Sequence, residues 1–371
     1  MLRRFIVLLA VSLAVTSQSQ ADPNFPDLMT PPMTKYNDVS RAAQGTYYQL
    51  PNGNVLYGTL KPGRSGMPLK VLAAGLDDSS KNWTGLDNML SALGYGVLTL
   101  DLRGQGNTLT RTADAGMNAF LLLAKRLGGD LSWQSQAEDI KQSIEFFGYK
   151  KADLIGLSYG GGIVLGVAEL YPEVVNKVVA FAPYVGPIQS QLKQMQQIAD
   201  ALIFMFPFAT PKQRLTYAGR FMAYTQDAPA EPQMLMRPDR LGVEAIIALG
   251  TGLAGFDVQT TINQFKTGKG SIAIIDGTID LVEPTAMLDE AYKNAGDKAL
   301  ARMYIDWGLH RATTYDPLAA LDIIRLIDSE KIKPGGYISY NPITRKFSPM
   351  KGAGNPVGFA GAPSCKEMFV K

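Results

Sequence analysis

Apolar runs of five to eight residues alternate with helix-like segments along most of this 371-residue chain. Strands of a parallel sheet are buried on both faces and read as continuous apolar runs of this kind. Eight runs have strand character: TYYQL, NVLYGTL, LKVLAAG, YGVLTLDL, ADLIGLS, KVVAFAPY, SIAIIDG and LARMYIDW. The alternation predicts an α/β fold with a mostly parallel eight-stranded sheet flanked by helices, in which the first two runs form an antiparallel hairpin.

One long interval breaks this alternation. About 85 residues, Gly186 to Gly270, separate the sixth strand-like run from the seventh, and a plain crossover does not need so many. We therefore predict a helical cap insertion at 186–270 within a domain that spans 45–331. The insertion is rich in Met and Phe. These residues are expected to form its own small core, with a few of them lining an apolar pocket over the site.

The amino-terminal segment predicts export. Two arginines precede an apolar run from Phe5 to Val15, and small residues follow as far as Ala21. This pattern is typical of a secretory signal peptide, here residues 1–21 with cleavage after Ala21. Eleven residues are too few for a membrane span, which needs about 20. The mature protein is therefore expected to be periplasmic or secreted, without a stable membrane span.

Two further segments are predicted to lie outside the folded domain. Residues 22–44 are polar and rich in Pro, which indicates an extended leader. Residues 332–371 are rich in Gly and Pro and mostly basic in charge, which favours a carboxyl-terminal tail on the surface or free in solvent.

The content of charged residues, cysteine and histidine excludes several classes of protein. Removal of the signal peptide leaves 34 basic and 33 acidic residues, so nothing indicates a nucleic-acid partner. Cys365 is the only cysteine and His310 the only histidine. An internal disulfide and a multi-cysteine metal site are therefore excluded, a zinc cage is disfavoured, and no metal or cofactor is predicted.

A serine between glycines marks the candidate nucleophile. Gly156 to Gly160 reads G-L-S-Y-G, with a strand-like run before it and a helical pattern after it. In this context the serine occupies a strained strand-to-helix turn with its hydroxyl above the sheet, and glycines flank it because side chains would clash there. We predict Ser158 as a nucleophile. The alternative is a serine that only caps the helix, but it leaves both glycines unexplained.

From about Thr46 to Glu330 the chain resembles the α/β-hydrolase superfamily. Besides the G-x-S-x-G elbow, the resemblance is carried by AAGLDD, LGYGVLTLDLRGQGNT, GTIDLVEP and GLHR, which occur in the order that this superfamily shows. The resemblance implies the α/β-hydrolase fold with a cap insertion. It says little about the substrate.

A catalytic triad is the expected chemistry of such a site. A serine hydroxyl needs a base, and His310 is the one imidazole available. The acid that orients it is assigned to Asp280 from the superfamily's position, and the chain order Ser158, Asp280, His310 agrees with this fold. Asp276 and Asp306 remain competitors for that role.

The resemblance also implies an oxyanion hole. Its two donors are expected to be the backbone N–H groups of Leu76 and Tyr159. Many relatives have His-Gly where this chain has Ala74-Gly75. We expect the hole to survive that difference.

The leading hypothesis is a secreted serine hydrolase that cleaves carboxylic esters, with a small hydrophobic acyl ester as its partner. An aminopeptidase-type enzyme, or another hydrolase of amide or C–C bonds with this fold, is the first alternative. Dehalogenase and epoxide-opening relatives are disfavoured because their nucleophile is aspartate. A non-catalytic ligand-binding protein of the same fold is the alternative from another class.

Overall fold

The computed structural model describes residues 45–76, 78–108, 131–186, 196, 200–204, 207–211, 213–214, 267–278, 280, 282–283 and 285–353. The predicted signal peptide and leader, most of the predicted insertion and the last 18 residues lie outside this described part. Helices and strands are numbered below along the described residues alone.

A single sheet organises the fold. Its ten strands are β1 (Thr46–Gln49), β2 (Val55–Lys61), β3 (Leu69–Ala73), β4 (Gly96–Asp101), β5 (Ala152–Leu157), β6 (Val175–Phe181), β7 (Ile272–Gly277), β8 (Ala299–Ile305), β9 (Gly336–Asn341) and β10 (Lys346–Met350). Their order in the sheet is β1-β2-β4-β3-β5-β6-β7-β8-β9-β10. Strands β3 to β9 run parallel, whereas β1, β2 and β10 pair antiparallel with their neighbours.

Helices cover both faces of this sheet. They are α1 (Leu86–Ala92), α2 (Trp133–Phe146), α3 (Tyr159–Leu170), α4 (Thr285–Asn294), α5 (Ala312–Tyr315) and α6 (Pro317–Asp328). Helices α2, α3 and α4 share one buried apolar cluster with the sheet, and α1 and α6 share the other. Because both faces are covered, β3 to β8 are buried almost throughout, which accounts for their uninterrupted apolar sequences.

The predicted fold class is confirmed, but the predicted number of strands is wrong. All eight strand-like runs become β1 to β8, and the first two form the expected hairpin. Strands β9 and β10 lie in the segment predicted as a tail. Strand β9 pairs parallel with β8, and its Tyr340 is fully buried, with its hydroxyl donating to Asp322 of α6 at 2.9 Å. Within the described part of this segment, Pro334 and Gly335 lie in the turn before β9, and Pro342 lies in the turn between β9 and β10.

The parallel strands bring distant parts of the chain to one edge. Their carboxyl ends, at Ala73, Leu157, Phe181, Gly277 and Ile305, all face the same side of the sheet. Loops that follow such strand ends are where α/β proteins place their ligands. The candidate residues for chemistry all follow β3, β5, β7 and β8.

Only scattered parts of the predicted cap insertion at 186–270 are described. They include a 3-10 turn at Leu202–Phe204, and the helical content of the remainder lies outside the described residues. In the described ranges no helix combines the length and the apolar character that crossing a membrane requires.

Candidate active site

Ser158 lies at the turn between β5 and α3 in a strained backbone conformation. Its φ and ψ are 52° and −116°, a region that non-glycine residues rarely adopt. Three backbone hydrogen bonds hold it there. The Ser158 N–H donates to the Phe181 carbonyl at 2.9 Å, and its carbonyl accepts from Gly162 N and Tyr184 N, both at 3.0 Å. Such strain persists only where surrounding contacts enforce it, and it is concentrated at functional sites.

The flanking glycines are required by close backbone packing. A Cβ atom on Gly156 would lie 2.4 Å from the Gly160 carbonyl oxygen. A Cβ atom on Gly160 would lie 2.4 Å from the carbonyl oxygens of both Ala73 and Ala74. Strand β5, helix α3 and the end of β3 therefore meet backbone to backbone around the serine.

The capping alternative for this serine is not supported. Ser158 occupies the N-cap position of α3, yet within the described part of the chain its side chain makes no capping hydrogen bond. By contrast, the Ser132 side chain accepts from the Ser135 N–H at the start of α2. The Ser158 hydroxyl is therefore not engaged in holding the helix end.

His310 and Asp280 are joined by a hydrogen bond. Histidine Nδ1 lies 2.8 Å from Oδ2 of the carboxylate, whose side chain has no solvent exposure. The other oxygen, Oδ1, accepts from the backbone N–H groups of Val282 at 2.7 Å and Glu283 at 3.1 Å. An ionised carboxylate only accepts hydrogen bonds, so this contact is made by the tautomer with its proton on Nδ1, in which Nε2 carries the ring lone pair that can take a proton.

The loops after β7 and β8 are locked together, which fixes this pair. A Cβ atom on Gly277 would lie 2.0 Å from the Gly308 carbonyl oxygen, so the two loops touch through their backbones. Thr278 N–H donates to the Ile305 carbonyl at 3.0 Å, and Trp307 N–H donates to the Thr278 hydroxyl at 2.9 Å. Trp307 itself has a φ of 62°. The acid and the histidine are thus held in register by contacts between their own loops.

Asp276, the first competitor for the role of acid, is engaged elsewhere. Its Oδ1 accepts from Arg302 Nη1 at 2.7 Å, and its Oδ2 accepts from the Thr285 hydroxyl at 2.9 Å. Burial raises the pKa of this carboxyl, against the opposing effect of the Arg302 charge. Asp276 thus anchors the start of α4 behind the site.

Asp306, the second competitor, bonds to strand β9, which neighbours β8 on the side opposite β7. Its Oδ1 accepts from the Ser339 hydroxyl of β9 at 3.1 Å, and burial raises the pKa of the carboxyl. Of the three candidate carboxylates, Asp280 is the one that the described contacts join to His310.

The two residues expected to supply the oxyanion donors adjoin the serine, one through a neighbouring loop and one in the chain. A Cβ atom on Gly75 would lie 3.5 Å from the Ser158 Cβ, so the loop that carries Leu76 passes beside the nucleophile. Tyr159 is the first residue of α3, where backbone N–H groups have no acceptor within the helix. Its phenol is buried and accepts a hydrogen bond from Gln136 of α2. The Tyr159 side chain therefore anchors α3 in the core.

A buried ion pair beside the site was missed by sequence reasoning. Arg311 Nη2 contacts both carboxylate oxygens of Asp78, which lies in the loop after β3. Asp78 Oδ2 is 3.4 Å from the Cβ position of Gly75. The two residues are 233 positions apart, so no spacing pattern predicts their contact. The one available hint was a basic residue directly after the sole histidine.

A second buried carboxylate fixes the loop after β3. Asp101, at the end of β4, accepts from Ser80 N at 2.6 Å and from Asn107 N at 2.7 Å. Burial raises its pKa, against the opposing effect of these hydrogen bonds. Asp101 therefore connects the loop that carries Leu76 to the turn after β4.

Comparison with known proteins assigns the family. The family model described as alpha/beta hydrolase fold matches residues 69–307 of this chain. The chain belongs to the α/β-hydrolase fold family. Membership supports a hydrolase and agrees with the predicted superfamily. In the described residues of this α/β hydrolase, no group of three or more His, Cys, Asp or Glu side chains could hold a metal ion.

Solved structures share the fold of this α/β hydrolase at low sequence identity. An enol-lactonase from Burkholderia xenovorans has a TM-score of 0.57 at 15% identity, covering 76% of this chain and 100% of that one. A thermophilic esterase from Thermogutta terrifontis has a TM-score of 0.55 at 13% identity, covering 78% and 99%. A hydrolase from Pseudomonas aeruginosa has a TM-score of 0.54 at 18% identity, covering 77% and 98%. These likenesses concern the fold alone.

The curated relatives match a shorter part of this chain than the solved structures do. Epoxide hydrolase 4 is 26% identical over 133 residues in Mus musculus and 29% identical over 134 residues in Homo sapiens. Each match spans 36% of this chain and 33% of the relative, so this chain matches about a third of the length of those proteins.

Proposed function

We propose that this α/β hydrolase is a serine hydrolase that cleaves carboxylic esters, with Ser158 as nucleophile, His310 as general base and Asp280 as the orienting acid. The observation that carries the proposal is the 2.8 Å hydrogen bond between His310 Nδ1 and Asp280 Oδ2. It makes Nε2 the proton acceptor, and Ser158, in its strained turn after β5, follows a strand that ends at the same edge of the sheet.

The first half-reaction forms an acyl-enzyme. As Ser158 Oγ attacks the ester carbonyl carbon, its proton passes to His310 Nε2, and the carbonyl π electrons move to the oxygen. Asp280 stabilises the imidazolium that results and does not take up the proton itself. The tetrahedral intermediate then collapses, the bond to the alcohol oxygen breaks, and His310 returns the proton to the leaving alkoxide.

The second half-reaction uses the same groups. Water gives its proton to His310 and attacks the acyl carbon, and the collapse of the second intermediate releases the carboxylic acid and restores the Ser158 hydroxyl. In both intermediates the negative oxygen would accept from the backbone N–H groups of Leu76 and Tyr159. Loss of one such donor lowers the rate by about 10²- to 10³-fold.

The insertion after β6 supports a hydrophobic substrate. Its sequence is rich in Met and Phe, and its described part exposes Phe204 to 89% and Phe208 to 99%. The segment that carries these side chains follows the carboxyl end of β6, where α/β proteins place their ligands, so its apolar character favours acyl chains over sugars or charged substrates.

Ester hydrolysis is favoured over epoxide opening at this site. The curated relatives are named epoxide hydrolase, but opening an epoxide in this fold uses an aspartate nucleophile, and the residue at the elbow is Ser158. The match to those relatives covers 36% of the chain and does not extend their substrate to this protein.

We also propose that the enzyme acts after export. Residues 1–21 have the pattern of a cleaved signal peptide, which would deliver the mature chain to the periplasm or the medium.

A labelling and turnover experiment tests the proposal. Purified protein is incubated with a fluorophosphonate probe and, separately, with p-nitrophenyl esters of increasing chain length, aminoacyl anilides and an aryl epoxide. We expect covalent labelling and ester turnover that both vanish in Ser158→Ala and in His310→Ala. Turnover of the anilides alone would indicate the aminopeptidase-type alternative. A folded protein that is neither labelled nor active on any substrate would indicate the binding protein.

A further inference from the structure

We propose that Thr285 is a positioning residue, which through its hydrogen bond to Asp276 holds the loop that carries the orienting acid, Asp280. The proposal rests on the proposed function, because it concerns the acid of the triad that activates Ser158. We call residues 278–284, between the end of β7 and the start of α4, the acid loop. Thr285 acts on the chemistry through the position of this loop.

The hydrogen bond joins the two ends of the acid loop. Asp276 lies in the last turn of sequence before β7 ends at Gly277, and Thr285 is the first residue of α4. The Thr285 hydroxyl donates to Asp276 Oδ2 at 2.9 Å, between residues nine positions apart. Asp280 lies near the middle of that interval. Because fixing the ends of a short loop restricts the conformations between them, this contact limits where Asp280 can lie.

The acceptor of this hydrogen bond is itself held in place. Arg302 of β8 donates from Nη1 to Asp276 Oδ1 at 2.7 Å and from Nε to Asp289 Oδ1 of α4 at 2.8 Å. The side chains of Arg302 and Asp276 have no solvent exposure. One guanidinium therefore ties the end of β7 and helix α4 to β8, the strand that leads to His310. Charge-assisted bonds of this kind are strong, so Asp276 presents a fixed acceptor to Thr285.

The carboxylate of Asp280 depends on where α4 starts. Its Oδ1 accepts from the backbone N–H groups of Val282 at 2.7 Å and Glu283 at 3.1 Å. Glu283 lies two residues before Thr285. These two bonds orient the carboxylate whose Oδ2 lies 2.8 Å from His310 Nδ1. A displacement at the start of α4 would therefore reach the acid through the backbone that it accepts from.

The other side of the acid loop is held without Thr285. The Asp280 N–H donates to the Gly277 carbonyl at 3.1 Å, and the Thr278 N–H donates to the Ile305 carbonyl at 3.0 Å. Thr285 itself is partly exposed at the first position of its helix. Loss of its hydroxyl is therefore expected to leave the domain folded and to loosen the acid loop on the side of α4.

A double-mutant cycle with the acid tests the proposal. The variants are Thr285→Val, Asp280→Asn and the two combined, with kcat, KM and the rate of fluorophosphonate labelling as readouts. Valine keeps the branched shape and lacks the hydroxyl. A misplacement of about 1 Å can cost about 100-fold, so we expect Thr285→Val to lower kcat and the labelling rate by about 10- to 100-fold, with KM changed less than threefold.

The combined variant distinguishes positioning from a general effect on the fold. In the Asp280→Asn background, Thr285→Val should lower the labelling rate by less than about twofold, because the acid through which Thr285 acts is already lost. A residue that only supported the fold would cause the same loss in both backgrounds.

Two further variants serve as rescue and control. Thr285→Ser keeps the hydroxyl and should retain at least a third of the wild-type kcat. Ser143→Ala removes another side-chain hydroxyl, which lies 2.9 Å from the Tyr48 hydroxyl between α2 and β1, far from β7 in the strand order. That variant should keep kcat within twofold of wild type. Circular dichroism and thermal unfolding establish that each variant is folded.

The outcomes separate this proposal from the proposed function. Labelling of Ser158→Ala or of Asp280→Asn at the wild-type rate would refute the proposed triad. With labelling that depends on both residues, three results would each overturn the role of Thr285 alone: a wild-type rate in Thr285→Val, an equal loss in the two backgrounds, or a Thr285→Ser variant as slow as Thr285→Val. If Thr285→Val does not fold, Thr285→Ala replaces it with the same expectations.

Discussion

Asp280 Oδ2 lies 2.8 Å from His310 Nδ1, although the two residues are 30 positions apart in the chain and follow different strands, β7 and β8. Two loops that follow adjacent parallel strands bring the carboxylate and the imidazole together, and a contact between their backbones holds them in register. The distance between the carboxylate and the imidazole therefore depends on both loops, the one after β7 and the one after β8.

Substitution of the acid should impair catalysis more than folding. In Asp280→Asn the amide no longer enforces the proton on Nδ1, so we expect kcat on a p-nitrophenyl ester to fall by about 10⁴-fold with little change in KM. Asp306→Asn is the matched control, since Asp306 bonds to Ser339, and it should retain at least half of the activity. Equal losses in the two variants would refute the assignment of the acid.

The elbow glycines should be essential for stability. In Gly160→Ala the new methyl group would meet two backbone carbonyls at 2.4 Å, and overpacking of this kind costs about 1–3 kcal/mol. Urea unfolding monitored by tryptophan fluorescence measures the loss. Gly268→Ala, where a Cβ atom meets nothing within 4 Å, should change the free energy of unfolding by less than about 0.5 kcal/mol. A Gly160→Ala variant as stable as that control would contradict the packing described at the elbow.

The stability contributed by Asp101 should depend on pH with a defined sign. Burial raises the folded-state pKa of this carboxyl above its ordinary value of 3.8. The folded state therefore binds the proton more tightly, and the contribution of Asp101 is fully present below pH 3.8 and declines as pH rises through the folded-state pKa. We expect the stability of wild type relative to Asp101→Asn to decrease between pH 4 and pH 7. An increase over that range, measured by urea unfolding at each pH, would reverse the assigned direction.

The β9–β10 hairpin should be required for folding. A chain that ends at Glu330 exposes the edge of β8 and removes Tyr340 from its buried position. We expect that truncation to aggregate or to unfold at least 10 °C lower, whereas a chain that ends at Ala353 retains all ten strands. Thermal unfolding of both purified chains is the measurement. Equal melting temperatures would mean that the hairpin adds nothing to the domain.

Export should produce a defined mature amino terminus. If residues 1–21 are a signal peptide, the protein secreted by a bacterial host begins at Asp22, and intact-mass spectrometry of the exported fraction measures this directly. A chain that retains Met1 in that fraction would contradict the prediction, and replacement of the apolar run by polar residues should keep the protein inside the cell.

The central sheet could be predicted from the sequence because strands that are buried on both faces consist of continuous apolar residues. Strands β3 to β8 are nearly uniform apolar runs, and each matches a predicted strand. The glycines at 156 and 160 were also interpretable, because backbone contact is a common reason for glycine at such a junction.

Strand β9 and the Asp78–Arg311 ion pair could not be predicted in this way, because no sequence pattern marks them. Strand β9 is partly exposed along its first half, so its sequence lacks a continuous apolar run, and the surrounding Gly and Pro favoured a tail. The Asp78–Arg311 pair depends on which loops meet above the sheet, and that follows from strand order and twist. Asp280, by contrast, was assigned over Asp276 and Asp306 from the superfamily's position, and the hydrogen bonds of the three side chains agree with that choice.

The backbone contact between Gly277 and Gly308 has a consequence for how such an enzyme diversifies. A side chain at Gly277 would collide with the Gly308 carbonyl, and one at Gly308 would crowd the Gly277 Cα, so a change at either glycine shifts both the loop of the acid and the loop of the base. Descendants of this chain are therefore expected to change their substrates by altering the segment that follows β6, while the two glycines persist.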